Sequence, residues 1–181
     1  MRREASSRRI ALGGVFGALA LVILLMGSVF PAATFVAPAI AGLAIVPVAV
    51  EYGIRSGAAV YGAVALLALF VVPDKEMSMF FIFLLGHYPL AKVFLERIRN
   101  KALRLAAKLA VFNVSVFIVY GLLLVLFPVA ALVEEFADTG NAFLGILLIA
   151  GNITFLIYDM AVKRLVAYYC AALRPRLFRQ R

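Results

Sequence analysis

From Ile10 to Phe30 the chain carries no ionisable side chain, and Arg2, Arg3, Arg8 and Arg9 stand immediately before that run. As a helix rising about 1.5 Å per residue, the run covers roughly 30 Å, the thickness of a bilayer's hydrocarbon core. No charge follows until Glu51 and Arg55. The basic flank predicts a cytoplasmic N-terminus, and that orientation sets the direction of every later span. The run is too long for the apolar segment of a signal peptide and reads as a retained helix. Along it Gly13 and Gly17, with Gly14 and Ala18 beside them, recur every four residues. Small residues at that spacing let another helix approach closely, so this stripe is the expected partner-docking surface.

Of the 181 residues, 66% are hydrophobic, well above the share in soluble domains. The fold class expected is all-α: one polytopic membrane domain of six helices with both termini inside. The spans are read at Ile10–Phe30, Ala32–Val50, Ser56–Val72, Met77–Leu95, Leu109–Phe127 and Asn141–Val162. Pro31, Pro38 and Pro47 should kink or break the second, and Gly86-His87-Tyr88-Pro89 should interrupt the fourth. Phe80, Phe81 and Phe83 of the fourth read as lipid-facing bulk. Residues 1–9 form a basic cytoplasmic N-terminus, 96–108 a basic amphipathic connector along the inner surface, and 171–181 a basic cytoplasmic tail. Residues 128–140, with Glu134, Glu135 and Asp138, form an acidic outer loop. Of the 18 lysines and arginines, all but Lys75 fall on the inner side in this arrangement. A net charge of +9 so distributed points to anionic membrane lipid, not nucleic acid, as its partner.

Polar side chains in hydrocarbon are costly unless partnered, so each is a candidate site. Counting from the span ends puts His87, Tyr88, Asn113 and Asn152 near mid-depth. They form either a small-molecule pocket between spans four, five and six or interhelical hydrogen bonds that glue the packing, Asn113 to Asn152 for example. Lys92 with Glu96, and Asp159 with Lys163, are pairs four residues apart at inner helix ends and read as surface anchors. Asp74-Lys75-Glu76 is a solvated outer turn or part of a lid.

One histidine and one cysteine cannot build a histidine-rich metal centre, and no nucleotide-binding loop is present. Glu134-Glu135 lacks the arginine and further histidines that an intramembrane protease of the CAAX type needs. No enzyme, cofactor or metal is expected.

Six short spans, a basic N-terminus and a first helix carrying Gly14 and Ala18 at a spacing of four resemble the S component, the substrate-binding membrane subunit of energy-coupling-factor (ECF) transporters. That family carries an Ala-xxx-Ala motif on its first helix. The resemblance implies a bacterial inner-membrane protein that holds a vitamin or similar micronutrient in an outward-opening pocket. It also implies docking through helix one, at Gly13, Gly14, Gly17 and Ala18, on a T component with two ATPase subunits. Carried onto this chain, the cap comprises the Gly27–Thr34 connection, Asp74, Lys75, Glu76 and the Glu134–Asn141 segment. The pocket walls come from spans four to six, with His87, Tyr88, Asn113, Tyr120 and Asn152. A second reading is a non-transporting scaffold that resembles the small rod-shape-determining proteins of the cell-wall machinery and grips other membrane proteins.

Overall fold

The computed structural model describes residues 2–126 and 141–173, and every element in them is helical. Helix α1 is Arg2–Gly27, and a single 3-10 turn at Pro31–Ala33 leads to α2, Val36–Tyr52. Helix α3 is Ile54–Val71, α4 is Lys75–Phe80, and α5 is Tyr88–Leu95. A π-helical turn at Phe81–Leu85 separates α4 from α5. Helix α6 is Lys101–Leu126, and α7 is Asn141–Tyr168, continued by a π turn at Tyr169–Leu173. The expected loop 128–140 and tail residues 174–181 lie outside the described residues.

Among the described residues, five stretches are long and apolar enough to cross a membrane: Ser7–Gly27, Ile54–Val71, Lys75–Leu95, Lys101–Leu126 and Gly145–Ala172. The sixth expected span is shorter, the 17-residue α2. It begins later than its apolar composition suggests, because Pro31 nucleates only the 3-10 turn. Pro38 then falls in the first helical turn, where a missing N–H is harmless, and only Pro47 is interior. Gly53, at φ 86°, is the whole connection to α3, a backbone conformation that glycine adopts without strain.

Two apolar cores share the α4–α5 span. One joins α1, α2 and α3 through Ala20, Leu24, Ala41, Ile45, Val64 and Ala68, reached by Met77 and Phe81. The other packs Phe80, Leu84 and Tyr88 against Phe112, Val119, Phe155 and Tyr158 of α6 and α7. The Lys75–Leu95 span is therefore central: 61% of it is buried, against at most 22% of the other four. Phe80 and Phe81 are buried, not lipid-facing. The outer helices present Val15, Leu19, Phe70, Phe117, Val125 and Ile149, a surface suited to lipid.

The amphipathic connector is corrected in extent. Only residues 96–100 connect α5 to α6, and Lys101–Lys108 are the first turns of α6. Asn100 is the cause: its side-chain oxygen accepts the N–H of Ala102 at 3.0 Å, so the helix starts about two turns before the apolar run.

The stripe on α1 is divided. A methyl group placed on Gly13 or Gly17 would meet Val60 of α3 at 3.1 or 3.3 Å, so these two pack inside the bundle. Gly14 has open space before it, and Ala18 is exposed. The tightest approach lies elsewhere, at Gly42 of α2, where an added methyl would sit 2.2 Å from the Leu85 carbonyl oxygen. Gly42→Ala should therefore cost about 1–3 kcal/mol of stability in detergent unfolding, the range for overpacking a filled site. Gly14→Ala, measured alongside, should be neutral or slightly stabilising.

Candidate functional site

The break in the α4–α5 span follows from its own backbone. The N–H of Gly86 donates to Phe81 at 2.8 Å, five residues back, instead of to Ile82. Pro89 has no N–H to give Leu85. Two carbonyls are thereby freed inside the bundle, and side chains fill both. The Tyr158 hydroxyl of α7 donates to Leu85 O at 2.8 Å. The Tyr61 hydroxyl of α3 donates to Ile82 O, and His87 Nδ1 lies 3.3 Å from the same oxygen. His87 is thus a half-buried partner of the break.

One turn further, Tyr88 and Lys92 of α5 and Glu96 at its C-cap follow at intervals of four on a single helical face. That face meets Asp159 of α7 and Lys108 of α6. The Tyr88 hydroxyl donates to Asp159 Oδ1 at 2.5 Å, and Lys92 donates to the same oxygen and to the Asp159 carbonyl at 2.7 Å. Lys108 donates to Asp159 Oδ2 at 2.9 Å and to Glu96 Oε1 at 2.6 Å. Arg104 closes the set at 3.5 Å from Glu96 Oε2. The hydrogen bond from Lys108 holds the Glu96 carboxyl below the usual carboxylate range. Lys92 and Lys108 are buried, so the anchor reading of Lys92 is corrected. Asp159 reaches across to α5 and α6 while Lys163 stands exposed.

The two asparagines bond each other. Asn113 Nδ2 donates to Asn152 Oδ1 at 2.9 Å, and Asn152 Nδ2 returns the bond at 3.2 Å. Each also donates to the carbonyl four residues back on its own helix, Leu109 at 2.7 Å and Leu148 at 2.8 Å. Tyr88 is fully buried and committed to Asp159. Of the four mid-depth residues, Asn113 and Asn152 are brought together, while Tyr88 bonds Asp159 and His87 lies at the Ile82 carbonyl.

At the opposite end of the bundle the expected cap residues converge. Asp74 is the N-cap of α4, accepting the Met77 N–H at 2.9 Å, while its other oxygen accepts the Thr34 hydroxyl at 3.3 Å. Tyr120 of α6 donates to Glu76 Oε1 at 3.1 Å. Phe80 bridges the two contacts, its ring 4.9 Å from Phe35 and 5.8 Å from Tyr120 in edge-to-face geometry. Thr34, Phe35, Asp74, Glu76, Phe80 and Tyr120 thus form a polar and aromatic cluster drawn from three separate segments. Lys75 turns away, donating to Leu69 O and Val72 O at 3.0 Å each and so capping the end of α3.

Among the described residues no group of histidine, cysteine, aspartate and glutamate is placed to hold a metal ion. Sequence reasoning missed the Asp159 network as a unit. The signal available was the Tyr88-Lys92-Glu96 spacing on one helix face. No protein family, curated protein or solved structure matches the chain. If the asparagines act as glue, a double-mutant cycle of Asn113→Leu and Asn152→Leu should show coupling of roughly 0.6–1.7 kcal/mol in detergent unfolding. Strictly additive losses would point to separate roles.

Proposed function

We propose that this chain is the binding subunit of an energy-coupling-factor-type uptake system, with the Asp74 end facing outward and the basic end inward. It takes a small polar micronutrient at the cluster of Thr34, Asp74, Glu76 and Tyr120 and docks on a transmembrane partner through the open face of α1. The observation that carries this reading is the convergence of those four side chains, from three segments, at one end of the bundle. Hydrogen-bonding groups beside Phe35 and Phe80 match the usual makeup of a small-molecule site, apolar walls with a few oriented polar atoms. The exposed Gly14 and Ala18, flanked by Val15 and Leu19, support close helix docking on that side.

A scaffold that grips other membrane proteins without carrying a solute is the second reading. It is favoured by the mid-depth pairing of Asn113 with Asn152 and of Tyr88 with Asp159, which leaves those groups bonded within the bundle.

Native mass spectrometry of the protein purified from its host separates the two. Transport predicts a bound small molecule, and its occupancy should fall about tenfold in Asp74→Asn or Tyr120→Phe, the loss expected for one hydrogen bond to a ligand. Gly14→Leu should release the membrane partner while leaving the fold and the cargo in place. Recovery of membrane partners with no cargo in the unmodified protein would favour the scaffold.

A further inference from the structure

The basic end of the bundle, away from the Asp74 cluster, holds an open groove lined by Lys101, Arg104, Leu105, Lys108 and Asp159. Its three cations lie at i, i+3 and i+7 on α6 and so share one face. The only carboxylate in the wall is already committed, one oxygen to Tyr88 and Lys92 and the other to Lys108. The cations retain donors. Lys108 has three N–H groups and gives to Glu96 and Asp159. Arg104 meets Glu96 through one terminal nitrogen. Lys101 is exposed and makes no ion pair among the described residues. Such a wall selects an anion, and a tetrahedral oxyanion matches several converging N–H donors.

Depth and surroundings narrow the source. From Lys101 to Lys108 the helix rises roughly 10 Å, enough to cross a headgroup layer about 5–8 Å thick and reach the edge of the hydrocarbon. Leu105, 46% exposed, stands among the cations in the groove wall and offers an apolar flank. A soluble phosphate has no use for that flank, whereas a lipid needs both. We propose that this groove is a binding site for the phosphate of an anionic phospholipid, with its glycerol and upper acyl chain against Leu105. The lipid fills the space between α6 and α7 beside the Asp159 network and shields it from water.

The test uses the full-length protein, delipidated in neutral detergent, with phosphatidylglycerol or phosphatidylcholine added and retention read by native mass spectrometry. Phosphatidylglycerol should be retained in preference to phosphatidylcholine. The double variant Lys101→Gln, Arg104→Gln leaves Lys108 and Asp159 in place. It should bind phosphatidylglycerol roughly thirtyfold more weakly, about fivefold for each surface cation. Lys163→Gln, Arg164→Gln removes the same charge from an exposed stretch of α7 and should retain the lipid. Equal retention of the two lipids, or equal losses in the two variants, would overturn the site. Displacement of phosphatidylglycerol by millimolar glycerol phosphate would support a phosphate site and assign it a soluble ligand. A thermal midpoint for each variant confirms that the fold is intact.

Discussion

Asp159 is the point on which the C-terminal half of the bundle depends. Its carboxylate receives Tyr88 and Lys92 from α5 and Lys108 from α6, and its side chain is only 14% exposed. A charge taken out of water is tolerated only when opposite charge and hydrogen bonds replace the lost solvent. The two ammonium groups and the carboxylate are therefore a set, none of which is stable alone at that depth. Because the three helices carry fixed parts of the set, their register follows from it: Lys92 must face Asp159, and Lys108 must lie level with both. Glu96 and Arg104 extend the set outward to the surface, where water screens them and their contribution is small.

The same accounting of polar groups explains the irregular middle of the central span. A regular helix would satisfy Ile82 O and Leu85 O internally. The i+5 bond of Gly86 and the missing amide of Pro89 free them, and Tyr61 and Tyr158 supply the hydrogen bonds instead. Gly42 lets α2 come against the same stretch of backbone. The break thus becomes a junction where α2, α3 and α7 all meet the central span. Polar atoms at mid-depth hold helices together, and those that gather at the Asp74 end pair across segments beside the rings of Phe35 and Phe80. That division is why we propose solute capture at the Asp74 end and read the middle of the bundle as structural.

Much of the architecture was legible from charge-free runs and the prolines between them. Pro89 marked the interruption, and the pairing of Asn113 with Asn152 followed from equal depth in adjacent spans. What could not be read were facts about which faces meet. Nothing local to Tyr158 says that it answers the carbonyl freed by Pro89, because the two are joined only through packing. Lys92 and Asp159 each had a good partner four residues away on its own helix, and the local pair hid the tertiary one. Lys108 reads as the last residue of a surface stretch unless Asn100 is recognised as the cap that starts α6 about two turns before the apolar run. The α1 stripe was legible as a close-packing surface. Its division, Gly13 and Gly17 inward against Val60 and Gly14 with Ala18 outward, depends on where α3 lies.

The most direct test of the Asp159 set is unfolding in a mild detergent of Asp159→Ala beside a variant combining Asp159→Leu, Lys92→Met, Lys108→Met and Tyr88→Phe. Removing the buried carboxylate leaves Lys92 and Lys108 with only the partly exposed Glu96 as counter-ion and should cost about 3–5 kcal/mol, and replacing the whole set with apolar side chains should restore most of that stability. If Asp159→Ala unfolds within about 0.5 kcal/mol of the parent protein, the carboxylate does not hold α5, α6 and α7 together.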